Sequence, residues 1–311
     1  MSQDLALTVI APVFNEEKGI DEFYKRLSEV LEGLRVPYEI LFVNDGSTDR
    51  SLELLRKIRA KNVRVKILDL SRNFGHQVAI KAGIDHARGE AVVIMDSDLQ
   101  DPPEEIPNFI SKWKEGYDVV YGVRAHREGE SLFKKWTAAI FYRLINRIAQ
   151  VDIPLDAGDF RLIDRRVAQA LKSIREKNPY VRGLVSWVGF RQIGVPIKRD
   201  ARFAGTTKYS SHQMFKLAWN GITHFSFLPL QLSTFIGFFV SLLCLAWIVQ
   251  ALYVGLVLHI AVPGWTSLMV VVLFLGSVQL ITLGIMGSYL ARNYDESRSR
   301  PLYILKNPED L

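Results

Sequence analysis

The residues best placed to do chemistry lie in Glu90–Glu105, EAVVIMDSDLQDPPEE. An apolar run leads directly into Asp96, Asp98 and Asp101, with Glu104 and Glu105 close behind. Carboxylates crowded this way repel one another unless positive charge sits among them. Asp96 and Asp98 flank a single residue, so on an extended chain both can face one cation. Oxygen ligands, with the Gln100 carbonyl added, suit Mg2+ or Mn2+ better than zinc. A metal held by so few protein oxygens completes its shell with water and substrate phosphates, which implies a diphosphate ligand. Asp101, Glu104 and Glu105 read differently: with Pro102 and Pro103 they form the acidic first turn of a following helix. His76 and His86 are not spaced as ligands of this group and read as surface or core histidines.

A second candidate is Asp45, in VNDGSTD. Asp-Gly is a turn dipeptide, so Asp45 is either a turn former or an acceptor for a base or ribose. The chain has no G-x-x-x-x-G-K-[ST] loop and no G-x-G-x-x-G fingerprint. Kinase, NTPase and dehydrogenase readings therefore lack their phosphate cradle, and a nucleotide bound through a metal and side chains remains.

The elements that must position these residues are legible upstream and downstream. Short apolar, β-branched runs at 6–13, 38–44, 65–70, 90–96 and 117–122 alternate with amphipathic stretches such as EEKGIDEFYKRLSEVLEGL and STDRSLELLRKIRAK. That alternation predicts an α/β fold with a mostly parallel sheet. Ligands of such sheets sit beyond the carboxyl ends of the strands, where PVFNEE, VNDGSTD and MDSDLQD fall. Thr48-Asp49 and Pro102-Pro103 are the expected helix starts. Residues 131–149 have apolar positions at helical spacing and bases elsewhere, which fits an interfacial amphipathic helix or a core-packed one.

Composition divides the chain. Of its 311 residues 49% are hydrophobic, yet no Asp, Glu, Lys or Arg occurs between Leu217 and Ala291. Two apolar runs there, Leu232–Leu258 and Trp265–Leu290, exceed the roughly 20 residues that span a bilayer. Buried soluble helices are seldom so long or so free of charge, so a transmembrane hairpin is expected. Lys208 and Lys216 precede it, Arg292, Arg298 and Arg300 follow it, and the connecting loop has no base. Both termini and the charged domain are therefore expected in the cytoplasm, with the protein multi-pass in the inner membrane. The expected division is a domain at 1–210, an interfacial helix at 211–231, the hairpin at 232–290 and a tail at 291–311. The N-terminus does not read as a signal peptide, and the single Cys244 gives no disulfide framework or thiolate zinc site. The net charge of +6 concentrates in 161–216, beside the apolar region, so anionic lipid is the expected partner and no nucleic acid.

PVFNEE, VNDGSTD, SRNFGHQVAIKAGI, MDSDLQDPPE, GDFRLIDRR and RFAGTTKY, in that order and ahead of two apolar spans, resemble the polyprenyl-phosphate glycosyltransferases of glycosyltransferase family 2. The likeness covers nearly the whole chain and is nearer to bactoprenol glucosyltransferases than to dolichol-phosphate mannose synthases. It implies a GT-A (Rossmann-like) fold, Mg2+ or Mn2+ as cofactor, and a homotetramer. It also implies inverting transfer of one sugar from a nucleotide-sugar donor to polyprenyl (undecaprenyl) phosphate, for modification of a cell-envelope glycan. UDP-glucose is the donor expected from the closer likeness, with UDP-GlcNAc, a modified pentose nucleotide or GDP-mannose as alternatives.

Residue by residue, the resemblance places Pro12, Phe14, Glu16, Val43 and Asp45 at the nucleoside. Asp96, Ser97 and Asp98 match the DxD motif, with Asp98 and Gln100 toward the metal. Arg124 matches a phosphate-contacting arginine. Asp159 matches the carboxylate called the catalytic base. Arg202 and Lys208 match a basic loop that closes over the diphosphate. Ser97 and Thr207 depart from the commoner alanine and serine. A phosphate monoester has a second pKa of about 6 and is already a nucleophile at neutral pH. Asp159 is therefore expected to orient the acceptor, or to fix a neighbouring arginine such as Arg161, as an alternative to acting as base. A polysaccharide synthase is disfavoured because Q-x-x-R-W is missing, and a lipid-linked sugar flippase because the spans carry no Asp, Glu, Lys or Arg.

Overall fold

The computed structural model describes residues 6–124, 157–177, 179–197, 228–256 and 264–307. Four strands open the chain: β1 (Leu7–Val13), β2 (Tyr38–Asn44), β3 (Val65–Asp69) and β4 (Ala91–Ile94). They alternate with α1 (Ile20–Gly33), α2 (Ser51–Lys61) and α3 (His76–His86). After β4 a 3-10 turn at Pro103–Glu105 leads into α4 (Ile106–Lys114). There follow β5 (Val119–Arg124), β6 (Ala157–Asp164), α5 (Arg165–Ser173), α6 (Val181–Trp187) and β7 (Gln192–Ile197).

The strands form one sheet in the order β3-β2-β1-β4-β6-β5-β7. β1 to β4 pair in parallel, as does β5 with β7, while β6 runs antiparallel to both of its neighbours. The sheet is mostly parallel, as the alternating pattern requires. β1 and β2 are buried along their whole length, which is why they read as continuous apolar runs. One core lies under α1, α2 and α4, with Phe23, Phe42, Phe109 and Phe160 among its residues. The other lies under α3, α5 and α6 and contains Ile10, Leu41, Ile80, Ile94, Leu171 and Leu184.

The reversed strand β6 was not legible as a strand. Its register with β4 pairs Ile94 with Arg161. Two residues further on, that register brings Asp159 opposite Asp96, so the reversal carries the GDFR motif to the carboxylates at the end of β4.

The long apolar helices are α7 (Leu228–Leu256) and α8 (Trp265–Ser297). They belong to a second compact unit, in which they pack against each other. Within α8 the stretch Val270–Ser297 is long and apolar enough to cross a membrane. Both helices expose large apolar side chains, among them Phe235, Phe239, Trp247, Leu268, Phe274 and Leu290. Residues 300–307 group with the sheet unit. The helix expected at 131–149 lies outside the described residues, as does the part of the one expected at 211–231 that precedes α7.

Candidate active site

Short polar side chains tie the loops after β1 and β2 together through backbone amides. Asn15 Oδ1 accepts from Thr48 N at 2.8 Å, and Ser47 Oγ accepts from Asn15 N at 3.1 Å. Ser51 Oγ accepts from Glu16 N at 2.9 Å, and Asp49 Oδ2 from Glu17 N at 3.1 Å. Asp49 also accepts from Ser51 N at 2.9 Å, at the helix start expected near Thr48-Asp49. Burial works against the Asp49 charge, but these donors together hold its carboxyl below the usual range.

Asp45 is buried, and its two oxygens take the amides of Phe74 at 2.7 Å and Gly75 at 3.0 Å. It thus pins the loop entering α3. Gly46, at φ 66°, lies so close to that loop that a Cβ would stand 2.4 Å from the Arg72 carbonyl carbon. Only glycine meets both demands.

β4 is tied to β1 by Ser97, whose hydroxyl donates to the Pro12 carbonyl at 2.7 Å. Asp98 Oδ1 accepts from Gln100 N at 3.1 Å, bending the chain through Leu99 at φ 62°. A leucine in the left-handed region costs about 1–2 kcal/mol. Burial of its side chain offsets part of that cost, and the bend leaves Asp96 and Asp98 partly open while Ser97 is buried.

Positive charge does sit among the carboxylates, supplied by residues that the sequence did not single out. Arg182, on α6, clamps Asp159 with both arms: Nε to Oδ1 and Nη2 to Oδ2, each 2.7 Å. His76 Nε2 lies 3.3 Å from Asp96 Oδ1 and 3.4 Å from Asp159 Oδ2. His76 is exposed over 45% of its side chain, as a surface histidine would be, but the reading that set it apart from the carboxylates is corrected: it bridges the end of β4 and β6. Desolvation opposes its charge, but the bond to Asp159 and the fields of Asp96 and Asp159 raise its pKa. Asp159 is 5% exposed, and burial alone would push its carboxyl up. The Arg182 and His76 bonds override that and hold it far below the carboxylate range. Gln77 completes the join, its Oε1 accepting from Val181 N at 3.0 Å at the start of α6.

Arg161 does not receive the Asp159 carboxylate. It is buried, and it donates to the carbonyls of Gly158 at 2.9 Å and Asp159 at 3.4 Å, bracing the backbone beneath the carboxylate. Burial pushes its pKa down to about 10, which leaves it charged at neutral pH. Pro12 and Val43 are buried in strands, and only Phe14 of the expected nucleoside set is exposed. Glu16 sits between them, half-buried. Arg124 ends β5, while Arg202 and Lys208 lie outside the described residues. Asp101 is buried, so it is not a solvated first-turn charge; Glu104 is, in a two-armed pair with Arg26.

The donor set suits a hard divalent cation. His76, Asp96 and Asp159 bring one ligand atom each within 4.8 Å of one another, but Arg182 already occupies Asp159. Asp96, beside His76, and Asp98 are the partly exposed carboxylates just past the end of β4, and oxygen is what Mg2+ and Mn2+ prefer.

The sheet is GT-A-like, with carboxylates at the end of its fourth strand, and residues 8–172 match glycosyl transferase family 2. The chain belongs to that family and is a glycosyltransferase. It is 51% identical over 306 residues to the glycosyltransferase YkcC of Bacillus subtilis, covering 98% of this chain and 95% of that one. It is 41% identical over 303 residues to the bactoprenol glucosyl transferase of Shigella phage SfV, covering 97% and 99%. Among solved structures it resembles a Pyrobaculum calidifontis mannosyltransferase in complex with GDP-Man and Mn2+, at TM-score 0.49 and 20% identity over 70% of this chain and 61% of that one.

Proposed function

We propose that this glycosyltransferase moves one sugar, glucose from UDP-glucose, to a polyprenyl phosphate at the cytoplasmic face of a membrane, with inversion at the anomeric carbon. The observation that carries the reading is the full-length likeness to bactoprenol glucosyl transferases, apolar helices included. The helices suit a lipid acceptor, and the sheet unit suits a soluble nucleotide donor. Two crossings by α7 and α8, with both termini in the cytoplasm, and a homotetramer belong to the same proposal.

Asp96 and Asp98 would hold a Mg2+ or Mn2+ ion, whose charge offsets that of the diphosphate leaving group. The remaining work falls to the chain itself. The loops after β1 and β2 are cross-tied before any ligand arrives, so the donor meets a formed surface with Phe14 open for stacking. Asp159 accepts from both arms of Arg182, and its proton affinity is too low for a base at neutral pH. We assign it to positioning: it holds His76 and Arg182 at the place where the acceptor phosphate must approach. A phosphate dianion needs no proton removed, so screening its repulsion from the donor is the larger task. Arg182, and His76 when protonated, stand beside Asp159 to serve that task, with Arg124, Arg202 and Lys208 expected to share it.

Purified protein in lipid, given UDP-glucose, polyprenyl phosphate and Mn2+, should form a lipid-linked sugar and release UDP. Chelation of the metal should stop transfer, and Asp98→Ala should remove metal-dependent UDP binding. UDP affinity unchanged by either would sink the metal seat, and transfer from another sugar nucleotide only would correct the donor.

A further inference from the structure

The C-terminal residues return to the sheet and close on the segment that carries His76. Leu305 forms an antiparallel bridge with Leu70, one residue past the end of β3. Ser71 N donates to the Ile304 carbonyl at 2.8 Å, and Lys306 N donates to the Asp69 carbonyl at 2.8 Å. β3 is an outer strand of the sheet, so these bonds occupy amides and carbonyls that an edge leaves unpaired. Tyr303 lies across the other end of the same segment. Its hydroxyl donates to Asp85 Oδ2 at 3.3 Å, and its ring meets His86 edge-on at 6.0 Å. Tyr303 and Leu305 also pack on the core beneath α3.

These contacts bracket Ser71–His86. Within the bracket, Phe74 and Gly75 are held by Asp45, and His76 stands between Asp96 and Asp159. α3 transmits position well because it is buried from Val78 to Ile84 and packs tightly on β1. At Gly83 a Cβ would stand 2.3 Å from Ile10 Cγ2, so no slack remains at that crossing. Arg72 lies over the Phe74 ring at 4.0 Å, stiffening the exposed part of the loop.

We propose that Tyr303–Lys306 is a positioning strap for the active site. By closing both ends of Ser71–His86 it sets the loop on which Asp45 and His76 act, although no strap residue reaches the reacting groups. The chain passes from α8 into the strap with no intervening element. The stretch that follows the apolar helix is thereby part of the transferase machinery and not a free tail.

The inference rests on the proposed transfer for its kinetic arm alone, because amide exchange reads the strap without substrate. The experiment uses the full chain in lipid, comparing the parent with Tyr303→Ala/Leu305→Asp and with Tyr303→Phe. In the double variant, exchange at 71–76 should quicken by about tenfold while β1 and β4 keep their protection. The KM for UDP-glucose should rise by about tenfold, with a smaller change in kcat. Tyr303→Phe keeps the ring contact and loses the hydroxyl's contacts with Asp85 and, at 3.4 Å, with His86 Nδ1, so its effects should be the same in kind and several times smaller. Should the double variant not fold, Tyr303→Phe alone carries the test. Quicker exchange confined to 303–306, with 71–76 unchanged, would overturn the strap. So would an unchanged KM in a folded variant whose 71–76 exchange has risen. Should the parent transfer no sugar, the proposed function fails, while the exchange at 71–76 and the affinity for UDP still decide the strap.

Discussion

On one side of the site, Asn15, Ser47, Thr48, Asp49 and Ser51 hold two loops together through backbone amides and short neutral or singly charged groups. On the other, Asp159 takes both arms of Arg182 and lies beside His76, with the Asp159 carboxylate almost wholly withdrawn from water. The first side is assembled from residues that are neighbours in sequence or on adjacent strands. The second joins a helix start after β3, a reversed strand and a short helix, bringing His76 to Asp159 and Asp159 to Arg182 across long stretches of chain. The difference teaches where rigidity and where reactivity reside. The amide-tied loops lose little if one bond is weakened, because several bonds share the load. The charged side depends on each partner, since a carboxylate stripped of its cation stays buried.

The sharpest way to break this contrast is Arg182→Ala. Removing one partner of a buried pair costs about 3–5 kcal/mol, and the lower end applies because Arg182 keeps 35% of its side chain exposed. Transfer should fall by about 100-fold, as Asp159 and His76 lose their placement. Arg182→Lys keeps the charge and not the fork, so it should lie between the two. Full activity in Arg182→Ala would erase the distinction. A smaller effect is expected from Asp45→Asn, which leaves one of two buried amides facing an NH2 group. That should cost about 1–3 kcal/mol locally, read as faster amide exchange at Phe74 and Gly75 and weaker UDP binding. Unchanged exchange at those amides would show that Gly46 packing alone fixes the loop.

The smallest effect is expected away from the site, at Asp164. Its carboxylate caps α5 through Arg166 N at 2.9 Å and accepts from Trp113 Nε1 at 2.9 Å. Burial would raise its pKa, but the Arg166 and Trp113 bonds outweigh burial and lower it. Stability from such a group is present above the unfolded value of about 3.9 and fades as pH falls through the depressed folded value. Asp164→Asn keeps a capping oxygen but loses the charge that Arg166, Trp113 and the helix start meet, and should therefore cost about 1 kcal/mol at neutral pH. The gap in thermal midpoint from the parent should narrow as the medium is made strongly acid, and a gap independent of pH would refute the charge-based account.

Much of the first side was legible in the sequence. Strand positions, the clustering of PVFNEE, VNDGSTD and MDSDLQD at strand ends, and the acidic turn at Glu104 follow from local patterns of burial and turn chemistry. The roles inside those motifs were less legible. Ser97 and Asp45 carry hydroxyl and carboxylate groups that suit a ligand, yet both spend bonds on the backbone, and sequence does not say which way a polar group turns. Arg182 and His76 were missed because their partners lie far along the chain. His76 did leave one signal, its place just beyond the end of a parallel strand, where ligands of such sheets gather. The basic stretch 161–216 was read as facing lipid. Arg161 and Arg182 turn inward instead, and Arg166 pairs with Asp118 and Asp164.

The reversed strand has a further consequence. β5 and β6 are antiparallel neighbours paired from Val119–Ile163 to Val123–Ala157, so the chain departs β5 at Arg124 and returns in β6 at Ala157 at the same end of the sheet. Such an excursion can lengthen or shorten without disturbing the register on either side, since doubling a loop costs only about 0.6 kcal/mol in closure entropy. The architecture thereby separates what must stay fixed from what may be exchanged. Exchanging residues 125–156 between relatives should therefore leave the β5–β6 register and the Asp159–Arg182 clamp in place.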